Sequence, residues 1–104
     1  MDMSEYQRKA SSTAIYPKKY KLYYPATGLA GETGELLNKI KKRMRDRKKL
    51  DRDDIMAELG DVLWYVSQVA TDMGLSLDEV AKHNISKLRS RKRRGTLKGS
   101  GDNR

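Results

Sequence analysis

Two stretches of this chain carry aliphatic residues three and four positions apart, and that spacing leaves little choice of fold. In the first, Leu29, Leu36, Leu37, Ile40 and Met44 fall on one stripe; in the second, Ile55, Leu59, Val62, Val66, Val69 and Ala70 do. Such a period belongs to amphipathic helices. Nowhere do apolar and polar residues alternate as they do in a half-buried strand, and no internal repeat is present, so the expected class is all-α. A chain of 104 residues is too short for two independent cores. One small domain, steadied by self-association, is therefore expected.

Local signals divide the chain further. Ser4 followed by Gln7 has the spacing of a capping box, and Tyr6, Ala10, Thr13 and Ala14 recur at helical intervals, so a first helix is expected to run until Pro17. "YPKKYKLYYPATG" is aromatic, basic and broken by two prolines, and reads as a connecting loop. A second helix is expected from Gly28 to Arg43. Asp51 or Asp53 can cap a third, which Gly74 ends, and "SLDE" offers a box of Ser76 and Glu79 opening a fourth. The buried side of that fourth helix would be Leu77, Val80, Ala81, Ile85 and Leu88. The domain is placed at residues 1–92. Residues 93–104, basic and Gly-rich, are expected to form a flexible tail that substrate or a partner subunit can order.

The chemistry suggested by the residues lies in two acidic pairs. Glu32 and Glu35 are one helical turn apart, as are Glu58 and Asp61. If the second and third helices turn near Asp46 and Arg47, Glu32 is level with Asp61 and Glu35 with Glu58. Both pairs lie on the same edge of their stripes, so four carboxylates converge. A single such pair is more simply a solvated face paired with Lys39 or Arg43; two pairs matched in register call for a counter-ion. Mg²⁺, a hard cation that takes oxygen ligands and is shared with substrate phosphates, suits the set, and Mn²⁺ should substitute. Gly28, Ala30, Gly31 and Gly60 beside these acids suggest close packing or ligand approach.

Other chemistries are excluded by composition. Cysteine is absent and there is one histidine, His83, so thiolate catalysis and zinc sites are ruled out or disfavoured. A net charge of +9 and a pI near 9.9 call for an anionic partner. From Lys82 to Arg94 inclusive there are seven basic residues and no acid, a run that on its own reads as a nucleic-acid tail. A small nucleic-acid-binding protein without catalysis is thus the alternative, though the four acids oppose it. Within the run, Asn84, Lys87 and Arg91 fall along one edge of the fourth helix, where Lys87 and Arg91 can reach one polyphosphate. Tyr65, one turn beyond Asp61, can border a base; Trp64 points away from that edge, toward a core or dimer interface. Tyr16, Tyr20, Tyr23 and Tyr24 can either stack on a base or pack the loop down, and the five methionines are taken as core or terminal. The N-terminus lacks the apolar stretch of a signal peptide and no run approaches a membrane span, which suggests a cytoplasmic protein without a membrane partner.

"GLAGETGELLNKIKK", "ELGDVLWYV" and "NISKLRSRKRRGTLKGSGDNR" together resemble the MazG-like all-α nucleoside triphosphate pyrophosphohydrolases. The likeness extends from about Tyr6 to the C-terminus and is strongest for the short single-domain forms of bacteria and phages, some of which act on purine deoxynucleotides such as dGTP. It implies a four-helix bundle completed by dimerisation, as a dimer or tetramer. It implies cleavage of a (d)NTP between the α and β phosphates, giving the monophosphate and pyrophosphate. It also implies Mg²⁺ on Glu32, Glu35, Glu58 and Asp61, with Lys87 and Arg91 at phosphate-binding positions, in a bacterial or host cytoplasm. Gly31 stands where many members carry a further glutamate. The proton acceptor would be Glu32 or Glu35.

Overall fold

The computed structural model describes residues 1–104. Four helices, with no strand, make up the chain: α1 (Met3–Ser11), α2 (Tyr23–Arg45), α3 (Arg52–Asp72) and α4 (Leu77–Arg94), with a short 3₁₀ turn at Lys18–Tyr20 before α2. The all-α expectation holds. α2 and α3 form the antiparallel hairpin that dominates the fold, α1 lies across α3, and α4 packs on α1 and α3. No helix is long and apolar enough to cross a membrane.

Caps settled by local chemistry follow the sequence. Asp51 accepts from the backbone N–H groups of Asp53 and Asp54, and Ser76 from that of Glu79. Gly74 and Gly95 leave α3 and α4 in the left-handed conformation, with φ of 71° and 73°.

Three local expectations are corrected. Asp2, not Ser4, caps α1, its carboxylate accepting from the Glu5 N–H at 2.8 Å. α1 then stops at Ser11, well before Pro17, because the hydroxyls of Ser12 and Thr13 turn back onto the carbonyls of Lys9 and Ala10. α2 begins at Tyr23, inside the expected loop. Pro25 fits there because the N–H it lacks belongs to the first turn, where it has no intrahelical partner. Leu22, at φ 68°, makes the entry, and Asp72 holds it: one carboxylate oxygen accepts both the Leu22 N–H (2.9 Å) and the Tyr16 hydroxyl (2.6 Å). Burial, and then that Asp72 bond, push the Tyr16 hydroxyl up to about 12.

Gln7, released from capping, becomes a tertiary clamp. Its amide donates to Thr71 Oγ1 (3.0 Å) and the Leu75 carbonyl (2.9 Å), and its carbonyl accepts from the Leu77 N–H (2.7 Å). One side chain thereby ties α1 to the turn between α3 and α4. Gln7→Ala is expected to destabilise the chain by about 1–2 kcal/mol, because it removes three hydrogen bonds, two of them part-buried. Urea unfolding checks this; an unchanged midpoint would mean that the clamp is replaced by water.

The core is thin. Ala10, Ala70, Leu77 and Pro25 are the buried apolar residues, while Ser67, Gln68, Glu58 and Arg91 are buried polar ones. The radius of gyration is 16.5 Å, against about 13 Å for a compact domain of this length. Leu37, Met44, Leu59, Val80, Ile85 and Leu88, expected on buried stripes, are exposed in the single chain, as are all five methionines. The stripes are correctly helical; too few elements are present in one chain to cover them.

Candidate functional site

Glu32 of α2 and Glu58 and Asp61 of α3 come together, each offering a carboxylate oxygen within 4.8 Å of the others. The hairpin brings them there, with one adjustment. The connection runs from Asp46 to Asp51, with Arg47 at φ 55°, rather than turning at Asp46 and Arg47. The expected level of Glu32 with Asp61 survives the longer loop, and the long Lys39 side chain, one turn past Glu35, reaches Glu58 at 2.8 Å. Lys39 also approaches Asp54 at 3.8 Å. Glu35 is exposed and lies outside the three-carboxylate group.

Glu58 is the buried member, and its two oxygens differ. Oε1 meets Lys39; Oε2 is buried without any partner. A buried carboxylate oxygen with no donor is costly, and here it faces further negative charge. Partial burial first, then Asp61 and Glu58, hold the Glu32 carboxyl above its usual range. One lysine on one oxygen of Glu58 does not neutralise this group. An oxygen-only donor set with an orphaned buried oxygen is what a hard divalent cation fits.

Two of these carboxylates border a cleft of about 350 Å³ lined by Thr13, Glu32, Asp61, Trp64 and Tyr65. An aromatic cleft of about 410 Å³ shares Thr13, Trp64 and Tyr65 with it and adds Ile15, Tyr16, Pro17 and Tyr24. Tyr16 and Tyr24 stack with ring centres 4.8 Å apart, and Trp64 meets Tyr65 edge to face at 5.0 Å. Tyr65 is where its spacing placed it, and burial, then Tyr24, raise its hydroxyl pKa. Trp64 is a correction. Its indole N–H donates to Thr13 Oγ1 (2.8 Å) and to the Ala10 carbonyl (3.2 Å), which draws it to the end of α1 and the edge of the cleft. The helical wheel of α3 alone could not show this, since α1 supplies the partner. Thr13 was legible only as a helical position for the same reason.

Of the three glycines among the small residues, Gly28 alone has its expected role in close packing. A Cβ there would fall on the Tyr65 ring, 2.6 Å from Cδ1, whereas one added at Gly31 or Gly60 meets nothing.

Lys87 and Arg91 form a separate group on α4. Neither makes an ion pair with the three carboxylates; both are held by Asp102 of the C-terminal segment, at 3.2 and 3.5 Å. Asn84, one turn before Lys87, is exposed, as is His83.

Comparison with known proteins adds a family to this geometry. Residues 24–96 match the model of the MazG nucleotide pyrophosphohydrolase domain. The chain is 47% identical, over the whole of both sequences, to the Gene 37 protein of Mycobacterium phage L5. No solved structure matches it.

Proposed function

The chain belongs to the MazG nucleotide pyrophosphohydrolase family, and from that premise we propose that it is a Mg²⁺-dependent enzyme converting a (d)NTP to the monophosphate and pyrophosphate. The observation that carries this reading is the convergence of Glu32, Glu58 and Asp61 around a buried, unpartnered carboxylate oxygen. A divalent cation on these residues supplies charge neutralisation for the phosphate oxygens and a water acidic enough to be a nucleophile near neutral pH. Glu35 extends the same acidic face, within electrostatic reach of Glu32 and Lys39. Because its carboxylate lies outside the three-member group, Glu35 is available to complete the cation's ligands or to accept the water's proton; Glu32 is the other candidate acceptor.

Lys87 and Arg91, with Asn84 beside them, bind phosphate and offset the charge that develops on the pyrophosphate leaving group. Tyr65 borders the base. The aromatic cleft with Tyr16, Tyr24 and Trp64 gives it a surface on which a base can stack, and the substrate we propose is a purine deoxynucleotide such as dGTP. Self-association as a dimer or tetramer covers the exposed aliphatic faces of α2, α3 and α4. The enzyme acts in the host cytoplasm, where its substrate is; the phage relative fits that setting.

Saturating Mg²⁺ is expected to raise the melting temperature by roughly 5 °C or more, since a ligand at a hundredfold excess over its Kd adds about 2.7 kcal/mol. Mn²⁺ should do the same, and steady-state hydrolysis across the four dNTPs should favour dGTP. A melting temperature indifferent to both ions would remove the metal from the proposal; a preferred pyrimidine would remove the purine.

A further inference from the structure

Asp102 is the only acid after Glu79, in a stretch with nine lysines and arginines. The fold sets it on just two of them, Lys87 and Arg91. This placement is constructed rather than incidental. The Arg104 guanidinium donates to the carbonyls of Thr96 (2.9 Å), Leu97 (3.0 Å) and Gly101 (2.7 Å), and Arg94 Nη2 donates to the Arg104 carbonyl at 2.7 Å, so the last nine residues close into a loop. Its glycines suit it: a Cβ at Gly99 would meet Arg104 Cδ at 2.6 Å, and Gly101 has φ 83°.

Arg91 is the informative contact. Its side chain is only 5% exposed on an otherwise solvated basic helix. Nη2 donates to the Asp102 main-chain carbonyl at 2.7 Å and only weakly to its carboxylate, at 3.5 Å; Nε is buried with no partner at all. A guanidinium so held uses one arm of its fork. A phosphate group, with several charged oxygens, can accept from Nε and Nη2 together and offers more than the loop does.

We propose that the C-terminal loop is an autoinhibitory clasp in which Asp102 occupies Lys87 and Arg91 in place of a phosphate group, so that an incoming polyphosphate must displace it. This rests on the reading of Lys87 and Arg91 as phosphate ligands. Apparent phosphate affinity is then lowered by the fraction of molecules in which the clasp is closed.

The test is calorimetric titration of the full-length chain with inorganic pyrophosphate, without added metal, for wild type, Asp102→Asn, Arg104→Gln and Lys87→Ala. Asp102→Asn keeps the main-chain carbonyl but removes the charge, and should bind pyrophosphate about three- to fivefold tighter, the scale of a solvent-exposed ion pair. In hydrolysis its KM should fall by a similar factor with kcat unchanged. Arg104→Gln, which keeps the Asp102 charge but unties the loop that sets it on Lys87 and Arg91, should also bind more tightly. A loop that merely braced α4 would give the opposite sign, with weaker binding in both variants. If Lys87→Ala weakens binding while Asp102→Asn leaves it equal or weaker, the clasp is wrong and the phosphate site stands. If Lys87→Ala has no effect, the phosphate site fails and the clasp with it.

Discussion

Glu58→Gln is expected to lower nucleotide hydrolysis by ~100-fold or more, the equivalent of losing roughly 3 kcal/mol of stabilisation of the reacting charges, while the chain stays folded. Glu58 is the centre of the acidic group: buried, with one oxygen on Lys39 at 2.8 Å and the other unpartnered beside Glu32 and Asp61. Glutamine has the same shape and can still accept from Lys39, so packing is kept. What goes is the negative charge that a cation needs. The apo protein should melt within a few degrees of wild type, because a charge that repels Glu32 has been removed along with the Lys39 pair. Its Mg²⁺-dependent stabilisation should disappear. A nucleic-acid-binding protein would instead bind DNA slightly better after losing an acid, and a helical dimerisation module would not respond. Circular dichroism, melting with and without Mg²⁺ and a rate assay separate the three; retained activity in a folded Glu58→Gln protein would take Glu58 out of the chemistry.

Gly28→Ala is expected to destabilise the chain by about 1–3 kcal/mol, although alanine is the better helix former. The added methyl falls on the Tyr65 ring, 2.6 Å from Cδ1, and the ring has to leave its place against α2. Since Tyr65 lines both clefts, activity should fall with stability. The controls are Gly31→Ala and Gly60→Ala, where an added Cβ meets nothing; each should stabilise the free chain by about 0.5–1 kcal/mol. Tyr65→Ala makes room, so the double variant should recover part of the loss, with a coupling of about 1–2 kcal/mol in denaturant unfolding. Simple additivity would mean that the ring already moves freely.

How much of this was written in the sequence depends on the range of the interaction. Asp51 and Ser76 cap the helices they were expected to, because a cap needs only a side chain and an N–H two or three residues on. Glu32, Glu58 and Asp61 could be brought together on paper because helical period and an antiparallel hairpin fix both height and rotation. What the period could not show is which side chain meets Glu58: the long Lys39 side chain does, while Glu35 stays exposed. Prolines misled in both directions. Pro17 looked like the end of α1, yet two hydroxyls end it earlier; Pro25 looked like a loop, yet sits in the first turn of α2. The tertiary roles of Gln7, Trp64 and Asp102 had no local signal, since each partner lies in another element.

The central claim is tested most directly by ³¹P NMR of the products formed from dGTP and the other nucleoside triphosphates with Mg²⁺, with and without EDTA. Monophosphate and pyrophosphate in equal amounts, abolished by EDTA, are the expected result. No turnover of any nucleotide, or orthophosphate as the sole inorganic product, would contradict it.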